Sequence, residues 1–199
     1  MSKLSQLLKH GHEPEWWLDT GIPWFKNRMP DPILDAYGAL YWRLSGTEFH
    51  SIPDADWDTL LLLDACRFDI FTDLNELSGR TEKRYSPAPR TPEFLQANFA
   101  TGTFHDTVYV TANPHVRKQL EDSQFHDVYH LWETHWDSDL KSVHPSAVAD
   151  VAREAHETYP NKRIVVHFMQ PHLPFIGEWA RENIGIYSGY DHSRPADVD

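Results

Sequence analysis

The chain has one cysteine in 199 residues, Cys66, so it can form no intramolecular disulfide framework and no multi-cysteine zinc site. Glycine is scarce, at nine residues, and neither a Walker loop nor a Gly-x-Gly-x-x-Gly turn occurs, which argues against ATP and dinucleotide chemistry. No apolar run reaches the roughly 18 residues of a membrane span. Only seven lysines stand against thirty acidic residues, and the formal net charge is -12. Binding to a nucleic-acid backbone relies on clustered Lys and Arg, so that class is excluded as an expectation. The same acidic balance fits a halophilic surface, kept hydrated and soluble in high salt by its carboxylates. Met1 to His10 lacks a long apolar h-region and a small-residue cleavage site, which places the protein in the cytoplasm. The 13 histidines form no His-Glu-x-x-His pair and no finger spacing.

What the chain does have is a composition that is 40% hydrophobic and 13% aromatic, enough for a core in one domain of this length. Its most informative stretch runs from Asp58 to Asp69. Four consecutive leucines, Leu60 to Leu63, end abruptly in Asp64, Cys66 and Arg67. Such a run fits a strand buried on both faces, and open α/β sheets place their ligands at the C-terminal ends of strands. Asp64 is therefore either a carboxylate ligand for a divalent cation or the cap of a helix over Ala65 to Asn75. Cys66 reads as a small thiol packed behind the strand end.

Further apolar runs at Thr107–Ala112, Asp127–Trp132 and Arg163–Met169 alternate with helical stripes. The stripes are Phe68 to Leu77, Phe94 to Phe99, and Ala147 to Tyr159 ended by Pro160. This alternation predicts an α/β domain with a mostly parallel central sheet flanked by helices. Residues 1–56, rich in Trp, Pro and Gly with a stripe from Ile33 to Leu44, read as an N-terminal arm packing on that core. The α/β domain then covers 57–190, and 191–199 is a polar tail.

Three segments carry polar chemistry beside an apolar element: Leu60 to Arg67, Arg90-Thr91-Pro92-Glu93-Phe94-Leu95, and Val165 to Phe175, which holds His-Phe-Met-Gln-Pro-His-Leu-Pro-Phe. In their order and spacing they resemble the sulfatase-like branch of the alkaline-phosphatase superfamily, and haloarchaeal sulfatase-like proteins in particular, over most of residues 54–177. The resemblance implies an α/β/α fold and hydrolysis or transfer of phosphate or sulfate esters, on a small molecule or a glycan- or lipid-linked group. It also implies a divalent metal (Mn, Zn, Mg or Ca) and a Ser, Thr or modified Cys nucleophile. Position by position it makes Asp64 a metal ligand and His172 a contact for the substrate anion.

Thr91, before Pro92 and Glu93, can sit at the N-cap of a helix, where the partial positive charge favours an alkoxide or a bound anion. It is the candidate nucleophile and second metal ligand; the same three residues are also an ordinary helix start. Ser86 is the reserve nucleophile, since relatives often place theirs a turn earlier, where this chain has Pro89. Arg67 faces either a substrate oxyanion or a neighbouring carboxylate. Asn113 is either a substrate contact in a strand-end loop or, with Pro114, a turn initiator. His172, between prolines, contacts the anion or satisfies a loop carbonyl, and His167 in its apolar run reads as a core histidine.

Relatives carry a second metal-binding cluster, Asp-His-Gly after a later apolar strand. Asp191-His192 is followed by Ser193 and preceded by no such strand, so it reads as loop. The fold is thus expected to be incomplete at its C-terminus, either as a fragment or as a truncated relative. Two functions follow as expectations. One is a metal-dependent hydrolase or transferase of phosphate or sulfate esters; the other is a catalytically incomplete binding or structural protein, completed if at all by missing sequence or a partner.

Overall fold

The computed structural model describes residues 51–183. Their elements in chain order are β1 (Thr59–Leu63), α1 (Phe68–Leu74), α2 (Thr91–Phe99), β2 (Phe104–Thr111), α3 (His115–Gln119), β3 (Phe125–His130), α4 (Leu131–Thr134), β4 (Trp136–Asp137), β5 (Ser142–Val143), α5 (Pro145–Thr158), β6 (Arg163–Phe168) and α6 (Glu178–Asn183). Four strands form a parallel sheet in the order β1-β6-β2-β3, and β4 with β5 forms a small antiparallel hairpin. The protein is therefore α/β with a parallel central sheet, and every strand of that sheet delivers its C-terminal end to the same edge. No helix among the described residues is long and apolar enough to cross a membrane.

The two central strands explain how helices come to lie on both faces. Successive side chains of a strand point to opposite sides. In β2 and β6, Val108, Val110, Ile164 and Val166 pack with Val148, Val151, Ala152 and Ala155 of α5. Tyr109 and Val165 face the other way and pack with Leu95 and Phe99 of α2. Helix α5 forms where its apolar stripe does: Pro145 opens it, the His144 ring Nδ1 accepts from the Ser146 N–H, and Pro160 follows its end.

Several predicted boundaries shift. The strand expected over 127–132 runs Phe125–His130, and Leu131 turns into α4. The helix expected over 65–75 is shorter, Phe68–Leu74, with Arg67 at its N-cap and no side-chain cap, so Asp64 does not cap it. The larger correction concerns the leucine run. Strand β1 lies at the sheet edge, and only Leu60 and Leu62 pack into the core; Leu61 is 56% and Leu63 40% exposed. Four identical apolar residues carry no alternation, so the run hides which face is covered.

Of the predicted N-terminal arm, Ile52 packs beside Trp57 against the α2 side of the sheet, and Arg163 donates to the carbonyls of Pro53 and Ala55. The stripe over 33–44, the tail 191–199 and Asp191-His192 lie outside the described residues.

Leu95, fully enclosed between α2 and the sheet, and Leu61 on the open face make a contrast that equilibrium denaturation reads directly. Leu95→Ala is expected to lower stability by about 2–5 kcal/mol, and Leu61→Ala by less than about 1 kcal/mol, with the denaturant m-value unchanged in both.

Candidate active site

The C-terminal edge of the sheet opens into a cleft of about 1190 Å³. A tight turn leads out of β1, with the Cys66 N–H donating to the Leu63 carbonyl at 3.2 Å and Ala65 in the left-handed region at φ 58°. That position of a turn ordinarily takes glycine. The turn leaves the half-buried Asp64 carboxylate in the cleft, beside Cys66, which is half-buried and lines the cleft too.

Two segments converge on that carboxylate. Thr91 is the first residue of α2, one place inside the expected N-cap, which is Arg90. Its hydroxyl does not cap its own helix. It donates to Asp64, at 3.2 Å to Oδ2 and 3.3 Å to Oδ1. Asn113, buried in the loop after β2, donates through Nδ2 to Asp64 Oδ2 at 2.7 Å and accepts the His115 N–H on Oδ1 at 2.9 Å. Asn113 therefore both orders the turn into α3 and holds the carboxylate.

The remaining predicted residues share the cleft but not the carboxylate. Arg67 lines its rim, with its guanidinium on Asp69 at 2.6 and 2.9 Å, so of the two expected partners it takes the neighbouring carboxylate. The His172 ring lines the cleft half-buried, and its Nδ1 meets the Leu173 carbonyl at 2.9 Å, which leaves Nε2 for other chemistry. Ser86 also lines the cleft, but its hydroxyl donates to the Ala88 carbonyl at 2.6 Å and not to an acidic group. Its exposed position and local bond make it the weaker nucleophile candidate.

Beneath these groups lies a pair that strand alternation explains. His167 follows Val165 by two residues, so it faces α2; it is in register with Leu62 and Thr111 and only 3% exposed. Its Nδ1 shares a hydrogen bond with the Tyr109 hydroxyl at 3.1 Å. It is the satisfied core histidine expected, and it also forms part of the cleft floor. Burial drives the imidazole down to a pKa of about 4, against a smaller opposing pull from the Asp64 charge and a further push down from His115. Burial, with the Asp64 charge added, raises the Tyr109 phenol and keeps it protonated. His115 and Lys141 line the cleft as well. Sequence reasoning passed over both, because one opens a one-turn helix and the other sits in a hairpin turn, where periodicity is silent.

The donor set can be tested against the divalent metal that the resemblance implies. Asp64 offers one carboxylate, already engaged by a hydroxyl and an amide, and Thr91 one hydroxyl. Among the described residues no three His, Cys, Asp or Glu side chains come together as a metal site. Divalent cations of this kind take four or more ligands. The described residues thus do not by themselves fit a cation, and nothing below is routed through one.

The His167 environment has a consequence for stability. An imidazole held at about 4 in the folded state and at 6.5 in the unfolded chain makes unfolding take up a proton between those values. The stability from the neutral ring is fully present above pH ~6.5 and is lost as pH falls through about 4. In the ¹H–¹³C spectrum the His167 ring is expected to titrate near pH 4, and His167→Gln to flatten part of the fall in stability between pH 6.5 and 4. A midpoint near 6.5 would contradict the enclosed pair.

No family model matches the chain, and no curated protein or solved structure matches it either, so the arrangement of its own side chains bears the weight of any statement about chemistry.

Proposed function

We propose that the cleft hydrolyses or transfers phosphate or sulfate esters, the reaction class of the sulfatase-like branch of the alkaline-phosphatase superfamily, with Thr91 as nucleophile. The observation that carries the reading is the Thr91 hydroxyl hydrogen-bonded to the Asp64 carboxylate at the mouth of a parallel sheet. A hydroxyl is a weak nucleophile unless a base takes its proton, and the carboxylate already accepts that hydrogen bond. Helix α2 begins at Thr91, so its partial positive end faces the incoming anion.

Chemistry on these residues proceeds in two displacements. The Thr91 oxygen forms a bond to phosphorus or sulfur while its proton passes to Asp64, and the ester oxygen departs with the bonding pair. Water, or an acceptor alcohol in a transferase, then attacks the covalent threonine ester and returns the hydroxyl. Asn113 keeps the carboxylate aimed, and His172 offers Nε2 to a nonbridging oxygen. An oxyanion reaches Arg67 only by competing with Asp69.

A second reading, a catalytically incomplete binding or structural protein, is favoured by one observation. Metal dependence needs more ligands than Asp64 and Thr91, and the described residues bring no third one to them.

The test is turnover of 4-nitrophenyl phosphate and sulfate by the purified chain in molar salt, with Mn, Zn, Mg or Ca and with chelator. Thr91→Val and Asp64→Asn are expected to lower kcat at least about 100-fold, with Thr91→Ser retaining activity and Ser86→Ala unaffected. Absence of turnover together with absence of micromolar, saturable metal binding by calorimetry favours the incomplete protein.

A further inference from the structure

Lys141 lies in the turn of the β4–β5 hairpin, residues 138–141, where its backbone takes φ 50°. Hairpin turns that need this left-handed conformation ordinarily put Gly or Asn there, because a Cβ crowds the following carbonyl oxygen. The preceding residues are tied down, with Asp137 Oδ1 accepting the Asp139 and Leu140 N–H groups at 2.8 and 2.9 Å. The following ones, Ser142 and Val143, are buried. Nothing in the turn itself calls for a lysine.

Its side chain, however, lines the same cleft as Asp64 and Thr91. The other two Lys and Arg residues lining that cleft already hold carboxylates: Arg67 is on Asp69, and Arg90 is on Glu93 at 2.6 Å. Lys141 is half-buried, and its ammonium makes no hydrogen bond or ion pair with any described residue. Gln170 ties the hairpin that carries Lys141 to the loop that carries His172. Its Nε2 donates to Ser142 Oγ at 3.2 Å and to the Val143 carbonyl at 3.3 Å, fastening the hairpin to the loop that runs on to His172. That loop is closed by the His172 N–H on the Met169 carbonyl at 3.0 Å.

We propose that Lys141, which lines the same cleft as His172 and sits in a hairpin tied by Gln170 to the His172 loop, is the oxyanion-recognition residue of the cleft and binds a nonbridging oxygen of a phosphate or sulfate group. The assignment rests on the reading of the cleft as a site for anionic esters. A half-buried ammonium without a carboxylate partner is a charged donor with its hydrogen bonds still to make, and a tetrahedral oxyanion supplies acceptors of matching charge.

Inorganic phosphate and sulfate are the probes, with binding followed by calorimetry and by shifts of the His172 ring resonances. Lys141→Gln is expected to weaken binding about tenfold or more, and Lys141→Arg to retain most of it. Lys141→Gly separates the two features of the site: it is expected to raise thermal stability by relieving the backbone while losing binding as fully as the Gln variant. Lys162→Gln, at the opposite end of the sheet, controls for net charge. Wild-type binding that survives Lys141→Gln, or that Lys162→Gln weakens equally, overturns the Lys141 assignment and leaves the ester reading standing. Failure of the wild-type chain to bind either anion overturns both.

Discussion

One carboxylate joins the parts of this molecule that matter. Asp64 lies in the turn just after β1, yet its hydrogen-bond donors come from 27 and 49 residues further along, from the start of α2 and the loop after β2. A half-buried carboxylate must be compensated by donors or partner charges. Here a hydroxyl and an amide do it, each contributing on the order of 1.5–3 kcal/mol as a bond to a charged acceptor. Neither donor carries a formal charge, so the negative charge is solvated without being neutralised. Its field reaches the floor of the cleft as a secondary influence: burial lowers the His167 imidazole and the carboxylate opposes that, while burial raises the Tyr109 phenol and the carboxylate adds to it.

How much of this could be read in advance depended on whether a feature leaves a periodic trace. Helix α5 was legible because its apolar residues recur at helical spacing, β6 because its short apolar run is in fact buried on both faces, and the parallel sheet follows from strands separated by helices. The environment of β1 was not legible, since four leucines present the same pattern whether one face or two are covered. Asp64 was marked by the abrupt change from apolar to polar after the leucine run, Thr91 by the helix start it makes with Pro92 and Glu93, and Asn113 by the strand-end loop in which it lies. That Asn113 donates to Asp64 could not be inferred, because the contact depends on β6 being inserted between β1 and β2. The chain order gives no sign of that insertion. Lys141 and His115 stand in turns, whose residues answer to local geometry and not to a repeating core face.

The charge of the cleft runs against that of the whole chain. A formal net charge of -12 repels anions at a distance, whereas the cleft is lined by three cations, Arg67, Arg90 and Lys141, against two carboxylates, Asp64 and Glu93. The two effects differ in range. Salt screens exposed charges beyond a Debye length, which falls to about 3 Å at 1 M, while hydrogen bonds at contact distance inside a cleft are screened far less. High salt therefore removes the repulsion that would slow an anionic ester's approach and preserves more of the attraction that would hold it. An acidic surface and the proposed binding of an anion in the cleft are therefore compatible at high salt.

Backbone strain points to the same place. Among the described residues, two non-glycine residues have positive φ, Ala65 at 58° and Lys141 at 50°, and both line the cleft. The positive-φ glycines, Gly79 and Gly102, do not. Left-handed backbone in an L-residue costs roughly 1–2 kcal/mol, a sizeable part of the 5–15 kcal/mol that typically separates a folded domain from its unfolded chain. At position 141 the gain is a charged side chain that glycine lacks. At position 65 the gain cannot be chemical, because a methyl group offers no contact of that kind. What alanine does there is narrow the conformations open to the turn that carries Asp64, which glycine would widen. A carboxylate that must meet donors from two distant segments within hydrogen-bonding distance gains from a stiff mount, since the ordering is then complete before any ligand arrives.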